Sequence, residues 1–373
     1  MGNRMILEAS VLIGFAVVLM GTPIAEKYLA ASGIYSRDQQ KQDRPRVPTS
    51  GGLIVLMGFI FALTFYIGAN SLFTAAEIQT ELLLAALSST TIIALIGLVD
   101  DIHVDFRDVV AEQVKTEIDL DIRTGKTVLH EKALLFFGED HEDEEVRGLS
   151  QFTKALMVLP AALPLIAVGA GSWTMNLPIL GTVEWGLIYP LVLLPLGLIF
   201  VANAINILAG TNGLEAGLSL VAALALGIFA YQNGMTEAVA ISFTLAASLL
   251  AFLVYNWYPS SILPGDSLTY MSGAVLFTAI VAGDMEKFAL FLFMPWILEF
   301  LLKARSKFNA DSWGLLQEDG TLRPKYEKNY SLTHPVMRRG LTEKQVTTVL
   351  VSATAIWAAI VLVLFNYAGF LSA

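Results

Sequence analysis

Apolar residues run through this chain in blocks too long for the core of a soluble domain, and the polar residues gather between the blocks. Stretches of 16 to 20 predominantly apolar residues recur from Met5 to Phe370. A bilayer core about 30 Å thick is crossed by about 20 residues of helix. The pattern therefore predicts an all-α polytopic membrane protein with about ten transmembrane helices, near residues 5–22, 51–68, 82–99, 154–170, 185–202, 213–230, 237–255, 268–283, 286–302 and 347–370. An even number of spans puts both termini on one side of the membrane. The flank of the first span, Gly21-Thr22-Pro23-Ile24, lacks a small-residue cleavage site, so this segment reads as a retained span rather than a signal peptide.

Charge sets the orientation. Of 23 lysines and arginines, all but Arg4 and Lys287 fall in segments 23–50, 100–154 and 303–346. Cytoplasmic connections carry the positive excess, so these three segments are expected in the cytoplasm and both termini outside, in a plasma membrane. The net charge of −10 is uneven, with acidic residues concentrated between Asp105 and Glu145. The reading is one transmembrane domain over 1–373, holding an acidic cytoplasmic insertion at 103–147 and a basic cytoplasmic loop at 303–346. Within the insertion, Val128–Phe137 is apolar enough to pack as a short helix or hairpin. The absence of cysteine excludes a disulfide framework and a thiolate metal site or nucleophile. Nothing points to a nucleic-acid partner.

Four polar segments lie where apolar runs end, on the face predicted to be cytoplasmic. Asp100 and Asp101 close the third span; carboxylates at a span are costly unless they have a use, although solvated carboxylates beyond a helix end give the same pattern. Asn203 and Asn206 are three apart and share a helix face; amides there also serve to join helices. Gly210, Gly213 and Gly217 bracket Asn212 and Glu215, a backbone that can approach a ligand closely. Asp266 follows Pro264-Gly265, where its bland reading is a helix cap, and Asn256-Trp257-Tyr258-Pro259 adds amide and aromatic groups nearby. One carboxylate with amide oxygens from different spans suits magnesium, which keeps several waters and is completed by substrate phosphates.

The run Asn203-Ala204-Ile205-Asn206-Ile207-Leu208-Ala209-Gly210-Thr211-Asn212-Gly213-Leu214-Glu215, with Asn256-Trp257-Tyr258-Pro259-Ser260 and Gly265-Asp266-Ser267, resembles the polyprenyl-phosphate N-acetylhexosamine-1-phosphate transferases. The resemblance is closest to their archaeal and eukaryotic branch, which uses UDP-N-acetylglucosamine and dolichyl phosphate. It implies transfer of a sugar 1-phosphate from a UDP-N-acetylhexosamine to a polyprenyl or dolichyl phosphate in the bilayer, with release of UMP and dependence on magnesium, manganese being the alternative ion. It places Asn206 and Asp266 at the metal, and Asp100 and Asp101 at the paired acidic motif that acts on or positions the lipid phosphate. Lys154 matches the lysine that follows that pair, here beyond the insertion, though a lysine opening a span also anchors it at the interface. Asn212 matches a uridine-contacting position. Asn203, Gly213, Glu215, Asn256, Arg305, Lys307 and His334 complete the expected substrate-binding set, although a histidine between Thr333 and Pro335 more often caps or pins its loop. A homodimer is implied by the resemblance alone.

A phosphate monoester has a second pKa of about 6, so the lipid acceptor is a dianion near neutral pH and a strong general base is hardly needed. Positioning two repelling phosphates and neutralising the departing nucleotide are the larger tasks. The expected reaction is direct attack on the sugar-linked phosphorus without a phosphorylated enzyme. A transporter would place its polar groups near the midplane of broken spans, whereas here they lie at span ends; an inert scaffold and another UDP-N-acetyl sugar for a surface polymer remain as alternatives. Alcohol phosphotransferases that use the D-G-x-x-A-R motif are excluded, because the chain lacks it.

Overall fold

The computed structural model describes residues 2–74, 77–102, 156–177 and 181–367. Among these, eight helices are long and apolar enough to cross a bilayer. Helix α1 (Asn3–Ala31) leads through a short hairpin, β1 (Tyr35–Arg37) and β2 (Arg46–Pro48), into α2 (Gly52–Phe73) and α3 (Thr80–Asp101). Asp101 is the last residue of α3, so the acidic pair ends the span as the sequence predicts.

The fourth and ninth expected spans depart from that prediction. Instead of a continuous helix, the fourth carries a 3-10 turn at Leu159–Ala162 followed by the short α4 (Leu163–Ala167). Pro160 and Pro164 lack the amide hydrogen that would continue the α ladder. The ninth is split into α9 (Glu286–Leu292) and α10 (Met294–Ala304), with Pro295 in the first turn of the second piece. Between these breaks lie the hairpin β3 (Thr174–Leu177) and β4 (Gly181–Glu184), a π turn at Tyr189–Leu193, and the helices α5 (Leu194–Ile207), α6 (Leu214–Gln232), α7 (Thr236–Asn256) and α8 (Gly265–Ala282). A third hairpin, β5 (Gly314–Leu316) and β6 (Leu322–Pro324), and the short α11 (Thr333–Met337) precede the last helix, α12 (Glu343–Tyr367). All three hairpins are antiparallel.

Helix α8 is the centre of the bundle and packs against α2, α3, α5, α6 and α7. Every residue from Ser267 to Val281 is buried, and α8 is also the least apolar of the eight spanning helices. A helix facing protein on all sides needs no lipid-facing stripe. Small residues bring the neighbours close. A Cβ at Gly52 would lie 2.1 Å from the backbone nitrogen of Leu268, one at Gly97 2.6 Å from the carbonyl of Asp266, and one at Gly273 2.4 Å from Cα of Ala202. Close backbone approach is the usual route to helix association where lipid removes the hydrophobic drive. Here it fixes the start of α8 against α2 and the end of α3.

Candidate active site

The start of α8 is held by two other segments. Leu263 donates its amide to the carbonyl of Pro48 (2.8 Å), and the amides of Gly51 and Gly52 donate to the carbonyls of Leu263 and Pro264 (3.0 Å each). The Asp101 carboxylate then caps the helix: Oδ1 accepts the amide of Asp266 (2.6 Å), and Oδ2 accepts the amide of Ser267 (3.1 Å) and the hydroxyl of Ser50 (2.9 Å). The first amides of a helix lack intrahelical partners and favour negative charge. The capping role considered for Asp266 is thus supplied from α3 by Asp101, and Asp266 sits in the first turn of α8.

The Asp266 carboxylate turns to α5. Asn206 Nδ2 donates to Asp266 Oδ1 (2.7 Å) and to the Thr269 hydroxyl (3.0 Å). This leaves Asn206 Oδ1 as the acceptor end of the amide. Asp100, Asp101, Asn206, Asp266, Thr269, Gly210, Asn212, Glu215, Leu263 and Trp313 line one cavity of about 440 Å³, closed on another side by residues 35–40. That size falls in the range of small-molecule sites.

Of the residues singled out from sequence, Asp100, Asp101, Asn206, Asn212, Glu215 and Asp266 meet at this cavity. Asn203 does not join its companion: its amide donates to the Ile199 carbonyl on its own helix (2.8 Å). Gly213 has φ +80°, and a Cβ there would lie 2.8 Å from the Trp257 ring, so this glycine serves a close packing contact. Glu215 accepts the Gly210 amide (3.2 Å) and steadies the loop before α6. Asn256 is fully buried and donates to the carbonyl of Ile262 (2.9 Å), bracing the loop that leads to α8. Arg305 and Lys307 are exposed at the end of α10, and Arg305 reaches the Asn329 carbonyl at 3.4 Å. His334 is buried inside the 303–346 loop: Nδ1 accepts the Tyr330 amide (3.1 Å) and Nε2 faces the Asp311 carbonyl (2.9 Å). These two contacts select the neutral ring protonated on Nε2. Burial, together with the nearby cations Lys303 and Arg338, holds its pKa below the ordinary histidine value, although the Asp311 carbonyl works in the opposite direction. Lys154 and the insertion at 103–147 lie outside the described residues.

Several residues that build the cavity carried no individual signal in the sequence. Gln40 donates to the Gly210 carbonyl and accepts the Gly314 amide (3.3 Å), tying the segment between α1 and α2 to the motif loop and to β5. Asp38, Lys41 and Glu343 gather around Asn212. In the sequence they counted only as loop charge.

Among the described residues no three histidine or acidic side chains stand close enough to cage a metal ion. Magnesium is seldom caged in this way; it takes one or two carboxylates and leaves the rest to water and substrate phosphate. Asp266, Asp100 and the Asn206 amide, which line the same cavity, could supply donors of that kind.

Comparison with known proteins bears on what such a cavity is for. Residues 83–284, which span α3 to the end of α8, match the family described as glycosyl transferase family 4. A Sulfolobus acidocaldarius protein, provisionally named a UDP-N-acetylglucosamine–dolichyl-phosphate N-acetylglucosaminephosphotransferase, is 30% identical over 360 residues, covering 96% of this chain and 95% of its own. The Dictyostelium discoideum protein of that name is 33% identical over 208 residues, 47% of this chain and 50% of its own. A phospho-N-acetylmuramoyl-pentapeptide-transferase of Moorella thermoacetica is 29% identical over 282 residues, 74% of this chain and 75% of its own. Similarity covers nearly the whole of the archaeal relative, and the family match covers the helices that build the cavity; on that ground the chain belongs to glycosyl transferase family 4.

Proposed function

We propose that this protein transfers N-acetylglucosamine 1-phosphate from UDP-N-acetylglucosamine to a polyprenyl or dolichyl phosphate in the membrane, with release of UMP. The observation that carries the reading is the meeting of Asp100, Asn206 and Asp266 in one cavity at the ends of their helices, in a chain whose relatives are named for this transfer. The excess of lysine and arginine in 23–50 and 303–346 supports a cytoplasmic position for the cavity.

An oxygen of the lipid phosphate attacks the sugar-linked phosphorus of the donor. The bond from that phosphorus to the bridging oxygen breaks, and UMP leaves with the electron pair. Asp100, at the end of α3, orients the acceptor as it arrives from the bilayer. Asp101 keeps the first turn of α8 in place, and with it the oxygens that Asp266 and Asn206 offer to a cation. These two residues, with Asp100, would hold magnesium, which supplies charge neutralisation for the departing nucleotide. Lys154 is proposed to contribute positive charge from the segment preceding α4. Because the acceptor is already a dianion near neutral pH, proton abstraction is a minor part of the barrier and no aspartyl phosphate forms.

The test is UMP release by the purified protein with UDP-N-acetylglucosamine and polyprenyl phosphate. Release that requires the lipid supports the reading; release without lipid would make the protein a nucleotide-sugar hydrolase instead. Release only with a different UDP-N-acetyl sugar would keep the reaction and change the donor.

A further inference from the structure

Asn212 stands at the cavity wall in a network drawn from four separate parts of the chain. Its backbone amide donates to Glu343 Oε1 in the first turn of α12 (2.8 Å). Its side-chain Nδ2 donates to Asp38 Oδ2 (3.2 Å), and its Oδ1 accepts from Lys41 Nζ (3.2 Å) and from the Ser260 amide (3.1 Å). Lys41 closes the ring. Its ammonium pairs with Glu343 Oε2, lies 3.4 Å from Asp38 and sits 4.2 Å from the centre of the Tyr258 ring. One turn further along α12, the Thr347 hydroxyl contacts the Asn212 carbonyl (3.1 Å) and the Thr211 hydroxyl (2.8 Å). Asn212 and Glu343 are both buried, and Lys41 is about one-fifth exposed.

We infer that Glu343, acting with Lys41, is a positioning residue for the nucleotide donor; the inference rests on the transferase reading above. An ion pair buried to this degree contributes little to net stability, because desolvation offsets the attraction. What it does contribute is geometry. Glu343 holds the backbone of the motif loop from below, and Lys41 fixes the Asn212 amide in one orientation by occupying its oxygen. The clasp therefore sets the wall formed by residues 38–40 and 210–212. These are connecting loops, and they face a substrate that comes from water. The lipid acceptor instead approaches along the spans, toward Asp100. Loosening the clasp should weaken donor binding and leave acceptor binding nearly untouched. Glu343 is a positioning residue and not a catalytic one, since it acts through Asn212.

The experiment uses the full-length protein in detergent with Glu343→Gln, Lys41→Met, Lys41→Arg and the double variant Lys41→Met with Glu343→Gln. Glu343→Gln keeps an oxygen for the Asn212 amide and removes the charge facing Lys41. The expected result is a KM for UDP-N-acetylglucosamine raised about tenfold in Glu343→Gln and Lys41→Met, with the KM for polyprenyl phosphate within about twofold of wild type. Lys41→Arg should restore most of the donor affinity, and the double variant should be no worse than the worse single one, as expected of two groups acting as a unit. Thermal unfolding measured alongside separates this from a folding defect. A donor KM unchanged in both single variants of an active enzyme overturns the inference, and so does an equal rise in both KM values with a lowered unfolding temperature. A wild type that releases no UMP with any UDP-N-acetyl sugar overturns the transferase reading and the inference with it.

Discussion

Replacing Asp101 by asparagine separates the two members of the acidic pair, because Asp101 caps α8 and the proposed reaction gives Asp100 the work of orienting the acceptor. The Asp101 carboxylate accepts three hydrogen bonds, from the amides of Asp266 and Ser267 and the hydroxyl of Ser50, at 2.6, 3.1 and 2.9 Å. An asparagine of the same shape keeps one oxygen and turns an NH₂ toward a backbone donor. At least one charge-assisted bond is lost, each contributing about 1.5–3 kcal/mol. The favourable charge at the start of α8 goes as well, about 0.3–1 kcal/mol. The sum is about 2–4 kcal/mol, which at roughly 2 °C per kcal/mol lowers the unfolding temperature by about 4–8 °C. Unfolding followed by tryptophan fluorescence in detergent reads this directly. Asp100→Asn should lower the unfolding temperature less than Asp101→Asn does and, by misplacing the acceptor, cut UMP release about a hundredfold or more, with a residual rate that rises with pH as the acceptor phosphate becomes fully dianionic. The reverse pattern, with Asp101→Asn as stable as wild type and Asp100→Asn destabilised, would refute the division of labour.

Three other outcomes are expected. Gly213→Ala meets both a left-handed backbone and the Trp257 ring, and should cost about 2–4 kcal/mol in stability, visible as a lower unfolding temperature; an unchanged temperature would mean that the loop relaxes freely. His334 has a folded pKa below its unfolded value of about 6.5, so the unfolded chain takes up the proton first. Its contribution is intact above that pH and is lost as pH falls from about 6.5 toward the folded pKa. The wild-type unfolding temperature should therefore drop over this interval by a step that His334→Gln lacks, and an identical profile in the variant would contradict the burial argument. Turnover with a radiolabelled phosphate in the sugar-linked position should leave no acid-stable label on the protein, and a labelled aspartate would exclude direct transfer.

Much of this architecture could be read from the chain because long apolar runs leave few alternatives in a bilayer. Asp100, Asn206 and Asp266 were also legible, since each interrupts an apolar run at its end and they belong to one cavity. Asp101 shows where reading stops. A carboxylate at the end of one helix and a bare helix start 165 residues later look unrelated until α3 and α8 pack at Gly97. Asn203 illustrates a second limit: spacing puts it beside Asn206, but a side chain on an apolar helix can always turn back to its own backbone. Lys41 and Glu343 were invisible for the opposite reason, because charged residues in polar loops are common and only the tertiary fold brings these two to Asn212. The two broken spans carry prolines that a hydropathy reading passes over and that each remove a hydrogen bond from the helix ladder.

The most direct measurement of the central claim is UMP release from UDP-N-acetylglucosamine and polyprenyl phosphate by the wild type and by Asp266→Ala, each with magnesium and with a chelator. The account predicts release that needs both lipid and magnesium and is lost in Asp266→Ala. Release by Asp266→Ala at the wild-type rate would contradict the site proposed at the start of α8, and no release by the wild type with any UDP-N-acetyl sugar would contradict the reaction itself.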